Sequence, residues 1–143
     1  MVERILIVED NPQSMRLAIM TLRPHGYGLL QATDGEEALE VAAREKPDLV
    51  IMDVQLPRVD GLEATRRLRQ MPGLKSVPVV AVTAHAMKGD EAKVLGAGWN
   101  VYLPKPIDTR RLVQVVAEML RLGRTEEATA VWSDSGEDNT RRG

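Results

Sequence analysis

Three stretches of the chain are aliphatic without a break on either face: Ile5-Leu6-Ile7-Val8, Leu49-Val50-Ile51-Met52 and, after Val77-Pro78, Val79-Val80-Ala81-Val82. A strand with one wet face alternates apolar and polar residues, because successive side chains point to opposite sides. These three do not alternate, so both of their faces must be covered, which is the situation of a parallel sheet sandwiched between helices.

The segments between the strands supply the helices. Asn11-Pro12 is a helix cap followed by proline at the first helical position, and Met15, Leu17, Ala18, Met20 and Leu22 form an apolar face that Pro24-His25-Gly26 stops. Gly28 to Ala32 reads as a second, weaker strand. A second helix follows, with Thr33 or Asp34 as cap, Ala38, Leu39, Ala42 and Ala43 as its face and Pro47 as terminator. The third helix sets Leu62, Thr65, Leu68 and Met71 against arginines on the other side. A fourth is predicted at about Lys88 to Leu95, then a short strand Val101-Tyr102-Leu103. The fifth helix, Thr109 to Leu122, buries Leu112, Val115, Val116, Met119 and Leu120.

Five strands alternating with five helices predict right-handed crossovers and one parallel sheet, an α/β domain over residues 1–122. Beyond Leu122 the periodicity fails. Residues 123–143 are rich in Glu, Asp, Ser, Thr and Gly, with Val131-Trp132 as the one bulky apolar pair able to dock. Such a segment cannot offset its own ordering entropy, so a flexible tail is expected.

Charge and composition remove several classes of function. The net charge is −2, and the stretch Arg124–Gly143, with three basic and five acidic residues, accounts for all of it. A neutral body without a basic cluster, and with only four aromatic residues, is not a nucleic-acid binder. Cysteine is absent, which excludes disulfides, thiolate metal sites and thiol nucleophiles. The N-terminus reaches Glu9-Asp10 without the apolar core of a signal peptide, and no apolar run has membrane-spanning length, so a cytoplasmic address without membrane contact is expected.

The chemistry lies at the carboxyl ends of the strands. Glu9 and Asp10 follow the first, Asp53 ends the third, Thr83 the fourth, and Lys105 follows the fifth. In an open parallel sheet these ends share one edge, so the five residues converge on one crevice. Three clustered carboxylates repel unless a hard divalent cation neutralises them, and oxygen ligands of this kind suit Mg²⁺. A carboxylate left accessible beside such an ion can attack phosphorus, with a lysine neutralising the phosphoryl oxygens and a hydroxyl donating to them. Asp53 on the central strand is the candidate nucleophile. Read alone, the acidic pair is more often a helix cap, Thr83 another cap and Lys105 a surface lysine; their joint spacing carries the functional reading.

Four pieces in this order, Leu6–Asn11, Asp48–Glu63, Val77–Ala84 and Tyr102–Asp108, resemble the receiver domain of two-component response regulators over roughly Glu3 to Leu122. The resemblance implies a flavodoxin-like, doubly wound five-stranded sheet in the order 2-1-3-4-5 and Asp53 as phosphoacceptor. It implies Glu9, Asp10, Asp53 and the Gln55 backbone carbonyl around Mg²⁺, with Thr83 and Lys105 reading the phosphoryl oxygens. Tyr102 stands where the family keeps its switch aromatic, and Lys105-Pro106 where it keeps a cis peptide bond. Gln55 and His85 flank the path of an attacking water and are expected to tune phosphoryl lifetime.

On the same resemblance the phosphoryl group comes from a histidine kinase or a histidine phosphotransfer protein. Phosphorylation would draw Thr83 toward Asp53, let Tyr102 turn inward and reshape the surface of the fourth helix, last strand and last helix for a downstream protein target. With no second globular domain after Leu122, the chain looks most like stand-alone receivers of the DivK type, which act in cell-cycle phosphorelays. Its own chemistry would be limited to self-phosphorylation from a donor and self-dephosphorylation, so it is not expected to be an enzyme in the ordinary sense. The alternative is a receiver-like scaffold that regulates a partner kinase by binding without phosphorylation. Flavodoxin-like enzymes are disfavoured because no Gly-rich phosphate loop follows the first strand. Aspartyl-phosphate mutases and phosphatases carry D-x-D where this chain has Glu9-Asp10-Asn11.

Overall fold

The alternation of side chains along each central strand divides the core into two layers. Leu6, Val8, Val50, Met52, Val79 and Ala81 face one layer, and their chain neighbours Ile5, Ile7, Leu49, Ile51, Val80 and Val82 face the other, all of them buried. Each of these side chains other than Ala81 contributes about 1.5–3 kcal/mol relative to exposure, so the central strands anchor both layers at once.

The computed structural model describes residues 2–54, 61–83 and 101–122. In chain order the elements are β1 (Arg4–Val8), α1 (Pro12–Leu22), a 3₁₀ turn (Arg23–His25), β2 (Gly28–Ala32), α2 (Gly35–Glu45), β3 (Leu49–Asp53), α3 (Gly61–Arg69), β4 (Val79–Thr83), β5 (Val101–Pro104) and α4 (Thr109–Leu122). The strands form one sheet in the order β2-β1-β3-β4-β5, and every pairing is parallel. This is the doubly wound, flavodoxin-like α/β arrangement expected. Helices α2 and α3 cover one face, α1 and α4 the other. The predicted fourth helix, Gln55, His85 and the tail lie outside the described residues, as do the side chains of Leu62, Thr83, Tyr102 and Leu122.

The helix signals act where the sequence places them. Asn11 caps α1, its Oδ1 accepting from Gln13 N at 2.9 Å and Ser14 N at 3.0 Å. Of the two candidate caps for α2, Asp34 takes the position and accepts from Glu37 N at 2.8 Å. The Glu37 carboxylate reaches back to accept from Thr33 N at 2.8 Å, so the two ends of the turn satisfy each other. Lys46 closes α2 in the left-handed region, at φ 51, and its ammonium donates to Pro72 O at 2.9 Å.

Three expectations are corrected. In α2, Ala43 is exposed and Val41 takes its place on the buried face, since positions 38, 41 and 42 share one arc of the helix and 43 falls outside it. Leu17 and Met20 are 41% and 63% exposed, and the buried face of α1 is Met15, Ala18 and Leu22, with Ile19 partly covered. Positions 15, 18, 19 and 22 share one arc of a 3.6-residue helix, while 17 and 20 fall outside it. In α3, Arg66 and Arg67 are exposed and pair with Glu63, but Arg69 is not simply opposite the core. Its guanidinium folds back over the α3–β4 connection and donates to the carbonyls of Leu74, Lys75 and Val77. All three contacts are made by one nitrogen, Nη1, at the tip of the side chain.

Among the described residues no helix is long and apolar enough to cross a membrane.

Candidate functional site

Strand register brings the site together. Val8 pairs with Met52, Asp53 with Val82 and Thr83 with Pro104. The chain positions directly beyond β1, β3, β4 and β5 are therefore nearly level along the carboxyl edge of the sheet. That edge is where an open α/β sheet leaves a crevice, because successive connections depart to opposite faces.

Carboxylate oxygens of Glu9, Asp10 and Asp53 all lie within 4.8 Å of one another. Glu9 and Asp53 are buried, at 5% and 2% exposure, and Asp10 is exposed. The Lys105 ammonium sits among them, 3.0 Å from Asp53 Oδ2, 3.1 Å from Glu9 Oε1 and 3.3 Å from Glu9 Oε2. Asn11 N donates to Glu9 Oε2 at 3.0 Å, and Glu9 N donates to Ala32 O at 3.0 Å, which holds the first acid at the top of β1. The Lys105-Pro106 bond is cis, as the resemblance implied.

The electrostatics follow from this crowding. Burial, above all, pushes the Glu9 carboxyl above its ordinary range; the Asn11 N–H opposes that, the Asp53 charge adds to it, and Lys105 opposes it. Burial by itself would lower the Lys105 ammonium, but hydrogen bonds and charge from Asp53 and Glu9 outweigh it and hold the lysine above its usual value. Three carboxylates less one ammonium leave two negative charges at one spot. A divalent cation is the complement of that charge.

The donor set fits a hard ion. Carboxylate oxygens are the ligands such an ion takes. The three lie within 4.8 Å of one another, close enough for small side-chain rotations to turn them toward one cation. Glu9, Asp10 and Asp53 could hold such a cation.

Gly61 was missed by the sequence reading as a site residue. It begins α3, donates from its N–H to Val54 O at 3.0 Å, and lies against the backbone of Asp53. A Cβ there would stand 2.4 Å from Asp53 O and 2.8 Å from Val54 Cα, distances no side chain tolerates. Only glycine lets the returning chain brace Asp53 from below. The signal was available as a lone glycine at the mouth of a helix, directly after the β3 loop. Asn11 was recognised as a cap; that its own N–H also orients Glu9 was not.

Of the expected site residues, the structure brings Glu9, Asp10, Asp53 and Lys105 into one cluster. Thr83 ends β4 beside β3, and Tyr102 lies in β5 paired with Ala81; their side chains lie outside the described residues, as do Gln55 and His85.

Residues 5–117 match the family described as the response regulator receiver domain. The polar-differentiation response regulator DivK of Brucella anthropi is 41% identical over 120 residues, covering 84% of this chain and 98% of that protein. DivK of Brucella ovis shows the same identity and coverage. Among solved structures, a response regulator from Chloroflexus aurantiacus superposes with a TM-score of 0.81 at 35% identity, covering 85% of this chain and 99% of that one. The receiver domain of the sensor histidine kinase PA1611 from Pseudomonas aeruginosa, which holds a magnesium ion in its active-site cleft, gives 0.78 at 37% identity, covering 84% and 98%. The chain belongs to the response regulator receiver domain family.

Proposed function

We propose that this receiver accepts a phosphoryl group on Asp53 from a histidine kinase or a histidine phosphotransfer protein, and that it requires Mg²⁺. The observation that carries the reading is a buried aspartate at the open edge of the sheet, bonded to a lysine and clustered with two further acids.

Glu9, Asp10, Asp53 and the Gln55 backbone carbonyl would hold the ion. Bound there, it neutralises charge on the transferring group. An Asp53 carboxylate oxygen attacks the phosphorus, the bond from phosphorus to the donor nitrogen breaks, and the donor imidazole leaves. Lys105, already 3.0 Å from Asp53, neutralises the phosphoryl oxygens and needs little rearrangement to do so. Thr83 donates its hydroxyl to the same group and Tyr102 follows as the switch, while Gln55 and His85 set how readily water reaches the phosphorus. Residues 1–122 form the receiver unit and 123–143 a C-terminal extension. Output passes through a protein target on the surface of β5, α4 and the segment before β5, in keeping with relatives named as polar-differentiation regulators. The working compartment is the cytoplasm, and no chemistry beyond self-phosphorylation and self-dephosphorylation is required.

The test is intact mass after incubation with Mg²⁺ and a small-molecule phosphodonor, comparing wild type with Asp53→Asn. One added phosphate on wild type, absent without Mg²⁺ and absent in the variant, is expected. No adduct on wild type, together with failure to bind a stable phosphate analogue, would replace this reading with a phosphorylation-independent scaffold.

A further inference from the structure

The two helical layers differ in charge. Helix α1, the 3₁₀ turn and α4 carry Arg16, Arg23, Arg110, Arg111 and Arg121 against a single acid, Glu118, which pairs with Arg121. Asp108, just ahead of α4, accepts from Arg110 N and Arg111 N at 3.0 and 3.2 Å and so is engaged as a cap. The side chains of Arg16, Arg23, Arg110 and Arg111 are exposed and have no partner among the described residues. On the other layer α2 and α3 carry Glu36, Glu37, Glu40, Glu45 and Glu63 against Arg44, Arg66, Arg67 and Arg69, close to balance.

The basic layer also has a shallow groove whose exposed lining is mostly carbon. This open groove of about 450 Å³ runs between α1 and α4, lined by Thr21, Thr109, Arg110, Val113 and Gln114. Leu17, one helical turn from Thr21 and on the same side of α1, is 41% exposed next to it.

We propose that the chain's own segment Glu126–Asp138 covers this layer in cis, with Trp132 seated in the groove between α1 and α4. That segment holds Glu126, Glu127, Asp134, Glu137 and Asp138 and no basic residue, the charge complement of the arginines. Its bulky apolar residues are Val131 and Trp132, placed between the two acidic pairs. By itself the segment has nothing to pack on and cannot offset its ordering entropy. Against the groove the indole buries apolar area and Arg110 can lie over its ring, while the acidic residues on either side need not be fixed to stay near the arginines.

The reach is sufficient. Val113 lies nine residues before Leu122, about 14 Å back along the helix. Trp132 lies ten residues beyond Leu122, and ten extended residues span up to about 33 Å. The tail can therefore turn at the end of α4 and run back along the groove. It would compete there with any acidic partner that approaches the same layer.

The chain has no cysteine, so a single one can carry a probe. A nitroxide on Ser135→Cys in the full-length protein, at low salt, should cut the amide signals of Thr21, Val113 and Gln114 at least twofold relative to the reduced label, leaving Ala38 and Val41 of α2 unchanged. Arg110→Glu should abolish the effect, and so should Trp132→Ser, a change in the tail that leaves the fold alone. Equal loss on both layers, no loss, or loss that survives Trp132→Ser overturns the proposal. A mixture of isotope-labelled chains without nitroxide and unlabelled chains with it separates the remaining case. Loss in the mixture means that a second copy occupies the groove, which also overturns the assignment in cis.

Discussion

Asp53 and Lys105, 52 residues apart in the chain, meet through a 3.0 Å hydrogen bond between the lysine ammonium and Oδ2. The same ammonium is the one cation among the described residues in contact with Glu9. Removing it leaves two buried carboxylates facing each other without the cation between them. In chelator, Lys105→Met should cost about 3 kcal/mol of stability, at the low end for a broken buried pair because the lysine keeps 20% of its surface. Urea unfolding measures it. Phosphorylation of the variant by a small-molecule donor should be slowed at least tenfold.

Divalent metal should stabilise the fold by relieving the repulsion among Glu9, Asp10 and Asp53. At roughly a hundredfold excess of Mg²⁺ over its Kd, the gain is about 2.7 kcal/mol. Thermal unfolding with and without chelator reads it directly. Asp10→Asn, a change at an exposed position, should remove more than half of the metal-induced shift while leaving the metal-free midpoint near that of wild type or above it.

Gly61→Ala places a methyl 2.4 Å from Asp53 O. Because the atoms it meets are backbone, no side-chain rotation can clear it. A loss of about 1–3 kcal/mol is expected. Asp53 should also be displaced, so the rate of phosphorylation should fall even under conditions where the variant is fully folded. Stopped assays by intact mass, run beside circular dichroism, separate the two effects.

Arg69→Ala leaves the carbonyls of Leu74, Lys75 and Val77 without their shared donor. The cost should be about 2 kcal/mol in urea unfolding. Arg69→Lys should recover only part of it, since the lysine Nζ stops one bond short of the Nη1 that makes all three contacts.

Burial, with a smaller contribution from Glu3, raises the Tyr27 phenol above its ordinary 10.0. Above pH 10.0 the unfolded chain loses this proton first, so the folded state binds more protons and unfolding becomes easier as pH rises toward the folded value. Below pH 10.0 the group contributes no pH dependence. Tyr27→Phe should therefore flatten the alkaline fall of stability relative to wild type and leave neutral stability within a few tenths of a kcal/mol. Midpoints of urea unfolding at a series of pH values test this.

Where local chemistry decides, the sequence alone determined the outcome. Ile5–Val8 and Leu49–Met52 had to be covered on both faces because they lack the polar half of an alternating strand, and Asn11-Pro12 had to begin a helix because the cap and the proline each favour that backbone. The placement of Glu9, Asp10, Asp53 and Lys105 at strand ends was equally legible, since a parallel sheet puts every carboxyl end on one edge. What only tertiary structure decided concerns residues whose surroundings come from distant parts of the chain. Helix α1 is apolar around much of its circumference, so a mixed face could be read from the sequence; the arc of Met15, Ala18, Ile19 and Leu22 is the one that the packed core covers. Arg69 looked like a solvent-facing arginine until the α3–β4 connection brought three carbonyls within its reach. Gly61 shows its necessity only when the returning chain lies against Asp53 O, a closeness that no local propensity encodes.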